Sequence, residues 1–187
     1  MERLVSDVNI LNKFCTDFCN IVEKHCKYII VSGFVAIASG RARGTEDIDM
    51  ILERIDQKKF EKLHNDLAKH DFICMQSEDV SVLYNDYLKD STSIRYTRSN
   101  QPLPEMEVKL SKDMLDDYQI STRQKIPLIG LDVWFSSINF NIAFKEELLK
   151  SDKDMQDARH LRVVFKEDID ENEIFKIKKM IREYRLK

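Results

Sequence analysis

The chain has 187 residues, 43% of them hydrophobic, which is enough to bury one sizeable core, or one modest core with a small helical appendage. Charged residues make up 34%, yet the formal net charge is only −3, which excludes a disordered polyelectrolyte and an overtly basic nucleic-acid binder. The longest apolar run falls far short of a bilayer span, and Met1-Glu2-Arg3-Leu4 lacks the layout of a secretory signal, so the sequence predicts a cytoplasmic protein with no membrane partner.

Over residues 3–26 apolar side chains recur every three or four positions with no Gly or Pro between them, which predicts a helix. Cys15, Cys19 and Cys26 fall on its apolar face with Leu11, Phe18 and Val22. They are therefore expected as buried reduced thiols, and the absence of a CxxC pair speaks against zinc. Tyr28-Ile29-Ile30-Val31 predicts a strand that ends at Ser32-Gly33, followed by a short buried helix over Phe34–Ala38, stopped by Gly40.

A second strand is predicted from Ile48 to Leu52, with Asp47 and Asp49 on one side and Ile48 and Met50 on the other. Asp56 is positioned to cap a helix carrying Phe60, Leu63 and Leu67, and Val80, Leu83, Tyr84 and Tyr87 form the stripe of another. From Thr92 to Leu110 the pattern turns to two β-strands, with Gln101-Pro102-Leu103-Pro104 as the turn between them. Leu131–Phe135 predicts one more strand, and Ile138–Val164 and Glu171–Arg185 predict helices. The fold class is α/β (α+β): a small mixed sheet flanked by helices, with a core over 1–135 and a helical C-terminal portion over 136–187.

The chemistry is concentrated between Ser32 and Asp49. Two aspartates one residue apart on a strand project the same way, and their oxygens suit Mg²⁺, a hard ion that prefers carboxylates and phosphate oxygens. Gly33, directly after a strand and at the start of a helix, lets backbone N–H groups approach a phosphate. Ser32 adds a hydroxyl donor, and Arg43 and Thr45 lie just upstream of the acids, where each can bind a nucleotide phosphate or brace the turn. The four histidines, His25, His64, His70 and His160, have no partner at ligand spacing and read as structural or surface residues.

The run Ser32-Gly33, a short helix, then Gly40-Arg41-Ala42-Arg43-Gly44-Thr45-Glu46-Asp47-Ile48-Asp49 resembles the signature of the nucleotidyltransferase superfamily. That resemblance implies a mixed sheet of nucleotidyltransferase type, two Mg²⁺ ions, an NTP substrate, and a third carboxylate on a later strand. Glu105 and Glu107 share one face of that strand, so periodicity does not separate them; the Met-Glu-Val context resembling the family's favours Glu107 as the third catalytic and metal-binding acid beside Asp47 and Asp49. Ser32, where many relatives have glycine, and Glu46, a further negative charge, are departures.

A second resemblance lies in Lys145-Glu146-Glu147-Leu148-Leu149-Lys150 with Asp152-Lys153-Asp154, similar to motifs of the AbiEii-type nucleotidyltransferases, the toxins of type IV toxin-antitoxin systems. It implies nucleotide-binding roles for Lys145, Lys150 and Asp154, an RNA (tRNA) or protein acceptor, and an antitoxin partner. Asp154 and Asp157, three apart on one helix, are expected to orient Lys150 or Lys153.

Overall fold

A computed structural model of the protein describes residues 2–41 and 47–186. The N-terminal helix is α1 (Glu2–Val22), and after a turn the chain enters β1 (Tyr28–Val31), whose four side chains are all buried. Next come α2 (Gly33–Ala38), β2 (Asp47–Leu52), α3 (Gln57–Lys69) and β3 (Phe72–Cys74). The helical turn α4 (Val80–Val82) runs on through a π-turn over Leu83–Tyr87 to β4 (Ile94–Arg98) and β5 (Gln101–Leu110). Then follow α5 (Met114–Ser121), α6 (Ile138–Phe144), a π-turn over Lys145–Leu149, α7 (Asp152–Val164) and α8 (Glu171–Arg185).

Short polar side chains start the helices from α3 onward. Asp56, Asp79, Asp113, Ser137, Ser151 and Asp170 each accept a backbone N–H of the first turn, contacts worth about 1 kcal/mol apiece. Lys150, in the left-handed region at φ 55°, ends the π-turn and hands the chain to the Ser151 cap; this breaks the helix predicted over 138–164 in two.

The strands form one mixed sheet in the order β1-β2-β5-β4-β3, in which β2 and β5 are parallel and the other neighbours antiparallel. Ile48, Met50 and Leu52 of β2 join Met106, Val108 and Leu110 of β5 and Ile94 and Tyr96 of β4 in the main apolar core. Phe18 of α1 meets Phe72 edge-on at 5.0 Å and Tyr96 at 5.5 Å, which seats α1 over the β3–β4 side. The alternate residues of β1 and β2, Ile29, Val31 and Ile51, pack with Ile120 of α5 in a second, smaller cluster. Beyond that cluster the same face carries charged residues.

Two further predicted features differ. The β4–β5 turn is at Ser99-Asn100, with Asn100 at φ 63°, and Gln101–Pro104 already belongs to β5. The strand expected at Leu131–Phe135 is reduced to one residue, Phe135, in two isolated bridges: Ile30 N–H donates to Trp134 O and Ser136 N–H to Ile30 O, while Phe135 exchanges both its backbone bonds with Gln124. Pairing stops there because Ser137 turns the chain into α6. The short edge strand β3 and the capped helix α5 are not predicted, because neither carries a long periodic run.

Cys15, Cys19 and Cys26 are buried free thiols, and burial pushes the Cys26 thiol up to about 12. His64 is buried against the Tyr96 hydroxyl at 2.8 Å, and His25 meets Asp66 at 2.9 Å. Among the described residues no helix is long and apolar enough to cross a membrane.

Candidate functional site

The parallel pairing of β2 with β5 sets Asp47 beside Glu105 and Asp49 beside Glu107. Side chains at these alternating positions share one face, and neighbouring strands stand about 4.8 Å apart, so four acids are assembled on a patch two strands wide. The register distinguishes the two glutamates that periodicity left equivalent: Glu107 adjoins Asp49, the half-buried acid, and Glu105 adjoins the exposed Asp47. Burial pushes the Asp49 carboxyl above its ordinary value, and the negative Glu107 and Asp47 add to the rise. A hydrogen bond from Ser32 and the charge of Lys109 oppose it.

Ser32 holds φ 67° and ψ −137°, a left-handed conformation that glycine adopts freely and that costs other residues of order 1–3 kcal/mol. The serine keeps a glycine's backbone shape while placing its hydroxyl on Asp49. Gly33 follows as the first residue of α2 and is buried.

Beside Asp49 lies a cleft of ≈ 300 Å³, between Ser32 and the sheet on one side and α5, α6 and the π-turn on the other. Its polar lining is mainly cationic, with Lys109, Lys112, Lys145 and Arg185 against Asp49 and Asp116, while Phe140, Phe144 and Leu148 supply an apolar wall. Arg185, at the end of α8, is held by Asp113 and Asp116. Burial lowers the Lys112 ammonium, and the positive Arg185 nearby lowers it further.

Lys145 lines this cleft but is only 2% exposed, with Nζ 2.9 Å from Asp157 Oδ2 and 3.2 Å from Asp154 Oδ1. Asp157, fully buried, also pairs with Arg41, whose Nη2 donates to Gln156 at 2.8 Å. The lysine that Asp154 and Asp157 orient is thus Lys145. Lys150, whose side chain is 56% exposed, lies 3.9 Å from Glu147 and is not part of the cleft wall. Arg43 and Thr45, with Gly44 and Glu46, lie outside the described residues.

Arg95 was not anticipated. It pairs in register with Glu107 on β4, and its Nη2 donates to Glu107 Oε2 at 3.0 Å while Nε lies 3.5 Å from Glu105 Oε2. Its place on an alternating strand is legible in sequence, but its acidic neighbours depend on which strands pair. Lys109, Lys112 and Arg185 were missed for the same reason.

An all-carboxylate oxygen set fits a hard divalent ion by its chemistry and its strand register. As the side chains stand, no three His, Cys, Asp or Glu among the described residues are close enough together to hold one, and Glu107 is turned to Arg95 instead.

No family model matches the chain, and no curated protein matches it. Solved structures do. A nucleotidyltransferase-like antigenic protein from Paracoccidioides brasiliensis superposes with a TM-score of 0.52 at 16% identity, covering 96% of this chain and 89% of that one. The antibiotic-resistance factor ANT(2'')-Ia superposes with a TM-score of 0.51 at 12% identity, covering 96% of this chain and 93% of its own. The mixed α/β architecture is therefore the fold of nucleotidyltransferase-like proteins.

Proposed function

We propose that the chain is a Mg²⁺-dependent nucleotidyltransferase that passes NMP from an NTP to an acceptor hydroxyl. The observation that carries this reading is the β2–β5 register, which sets Glu107 beside Asp49, itself on the wall of a cation-lined cleft. Fold likeness to nucleotidyltransferase-like proteins supports it.

Asp47, Asp49 and Glu107 would hold the metal, in two ions as the resemblance implies. When bound, it neutralises phosphate charge and polarises the α-phosphate. Ser32 and the first N–H groups of α2, beginning at Gly33, take phosphate oxygens at the floor of the site. Lys109 and Lys112 neutralise the remaining triphosphate charge in the cleft, and Phe140 and Phe144 offer an apolar surface to the base. Glu107, beside Asp49 on the neighbouring strand, takes the acceptor's proton. Arg43 and Thr45 belong to the same proposal as nucleotide contacts.

The finer reading is an AbiEii-type toxin with an RNA or protein acceptor and an antitoxin partner. Its support is that Lys145 and Asp154, which carry that resemblance, meet as an ion pair at 3.2 Å, with Lys145 on the cleft wall.

The test is to incubate the protein with each α-³²P-labelled NTP, Mg²⁺ and tRNA, total RNA or protein acceptors, beside Asp47→Ala/Asp49→Ala. Label transferred by wild type alone, and lost on chelation, is the expected result; equal transfer by both proteins, or none with any NTP, overturns the assignment. A second reading, a module of this fold that binds nucleotide without turnover, is favoured by the Arg95–Glu107 contact. It predicts calorimetric NTP binding with no pyrophosphate released.

A further inference from the structure

The reading above needs Glu107 as a metal ligand, yet its Oε2 is engaged by Arg95 at 3.0 Å through Nη2 and at 3.3 Å through Nε. Arg95 also reaches Glu105, and its charge is felt by Asp47 as well. A guanidinium cannot shed its proton near neutral pH, so it supplies one fixed positive charge to a patch of four acids. A divalent ion would supply two charges to the same oxygens. The side chain of Arg95 is 47% exposed, which leaves it free to swing into solvent once Glu107 finds another partner.

We infer that Arg95 is a positioning residue, the resident counter-ion that keeps Glu107 engaged until a divalent cation displaces it. The inference rests on the proposed metal-dependent function. Arg95 neutralises the acid patch before the ion arrives and so sets the metal concentration at which the third ligand joins. Metal binding then exchanges two N–H···O contacts on Glu107 for coordination, and the guanidinium moves outward. In an exposed setting such a contact is weak, so displacement lowers metal affinity by a modest factor and does not block the site.

Mn²⁺ binding followed by electron paramagnetic resonance on the full chain, with no nucleotide present, tests this. Arg95→Gln keeps the length and removes the charge, and should bind Mn²⁺ roughly three- to ten-fold more tightly than wild type, the scale set by an exposed ion pair and one nearby like charge. Arg95→Lys keeps the charge and should stay within about three-fold of wild type. Circular dichroism verifies that both are folded. If wild type binds Mn²⁺, Asp47→Asn/Asp49→Asn does not, and Arg95→Gln binds no better than wild type, the inference about Arg95 is overturned while the metal reading stands. If wild type shows no binding that Asp47→Asn/Asp49→Asn removes, the metal reading falls and the inference with it.

Discussion

Replacing Asp157 by alanine puts the buried charge network to a quantitative test. Its carboxylate, fully buried, faces Lys145, itself 2% exposed, and pairs with Arg41, whose side chain is 15% exposed. Breaking a buried pair by removing one partner typically costs 3–5 kcal/mol, because the remaining charge loses its compensation without regaining water. Lys145 keeps Asp154 at 3.2 Å, and Arg41 keeps Gln156, so the lower end applies, about 3 kcal/mol. For a chain of this length that lowers Tm by about 6–12 °C, and with a urea slope near 2 kcal/mol/M it moves the unfolding midpoint by about 1.5 M. Lys145→Met is the informative comparison. It leaves Asp157 with Arg41 and Asp154 with Ser151, so it should cost roughly 1–2 kcal/mol. Urea unfolding of both variants, followed by circular dichroism, decides. An Asp157→Ala loss under about 1 kcal/mol, or a larger loss for Lys145→Met, would refute the assignment of Asp157 as the shared counter-ion.

At Ser32, glycine and alanine both remove the hydroxyl and differ chiefly in tolerance of φ 67°, so Ser32→Gly should be more stable than Ser32→Ala by about 1–2 kcal/mol in thermal melts. Because burial raises the Asp49 pKa, the folded state binds that proton more tightly than the unfolded one, and stability falls as pH rises through the folded value. Asp49→Asn should therefore be more stable than wild type at pH 7, on the order of 0.5 kcal/mol, while losing activity. That advantage should fade as pH falls through the Asp49 titration; a constant offset across pH would contradict the origin assigned to it. In the cleft, Lys112→Ala and Lys109→Ala should each weaken binding of a non-hydrolysable NTP analogue about ten-fold by calorimetry, whereas Lys150→Ala, outside the cleft wall, should change it by less than about two-fold.

The sequence carried most of the frame, because local rules wrote it. Tyr28–Val31 is an unbroken run of apolar, mostly β-branched residues, Asp56 caps a helix with a clean apolar stripe, and β5 alternates charged with apolar residues from Glu105 to Leu110. What escaped depends on pairing or on breaks. Phe72–Cys74 is three residues long and forms a strand only because β4 lies beside it. Leu131–Phe135 looks like a strand, but a partner exists for a single residue. In the site, Asp47 and Asp49 were visible as a pair one residue apart, whereas the neighbours Arg95 and Lys109 follow from strand order. Asp154 and Asp157 were identifiable as lysine-holding acids, but their lysine lies across a left-handed break at Lys150 that helical periodicity does not foresee.

The parallel contact between β2 and β5 also has a bearing on how the molecule comes into being. Its two halves are distant along the chain, with α3, β3, α4 and β4 intervening, so closing it is a non-local event of the kind that folds slowly. Until that closure the acids of the two strands belong to separate fragments, and no early intermediate holds the complete set. Any chelating capacity should therefore emerge late in refolding, and a chain truncated before Glu105 should have none of it. Cation uptake would then mark a finished molecule.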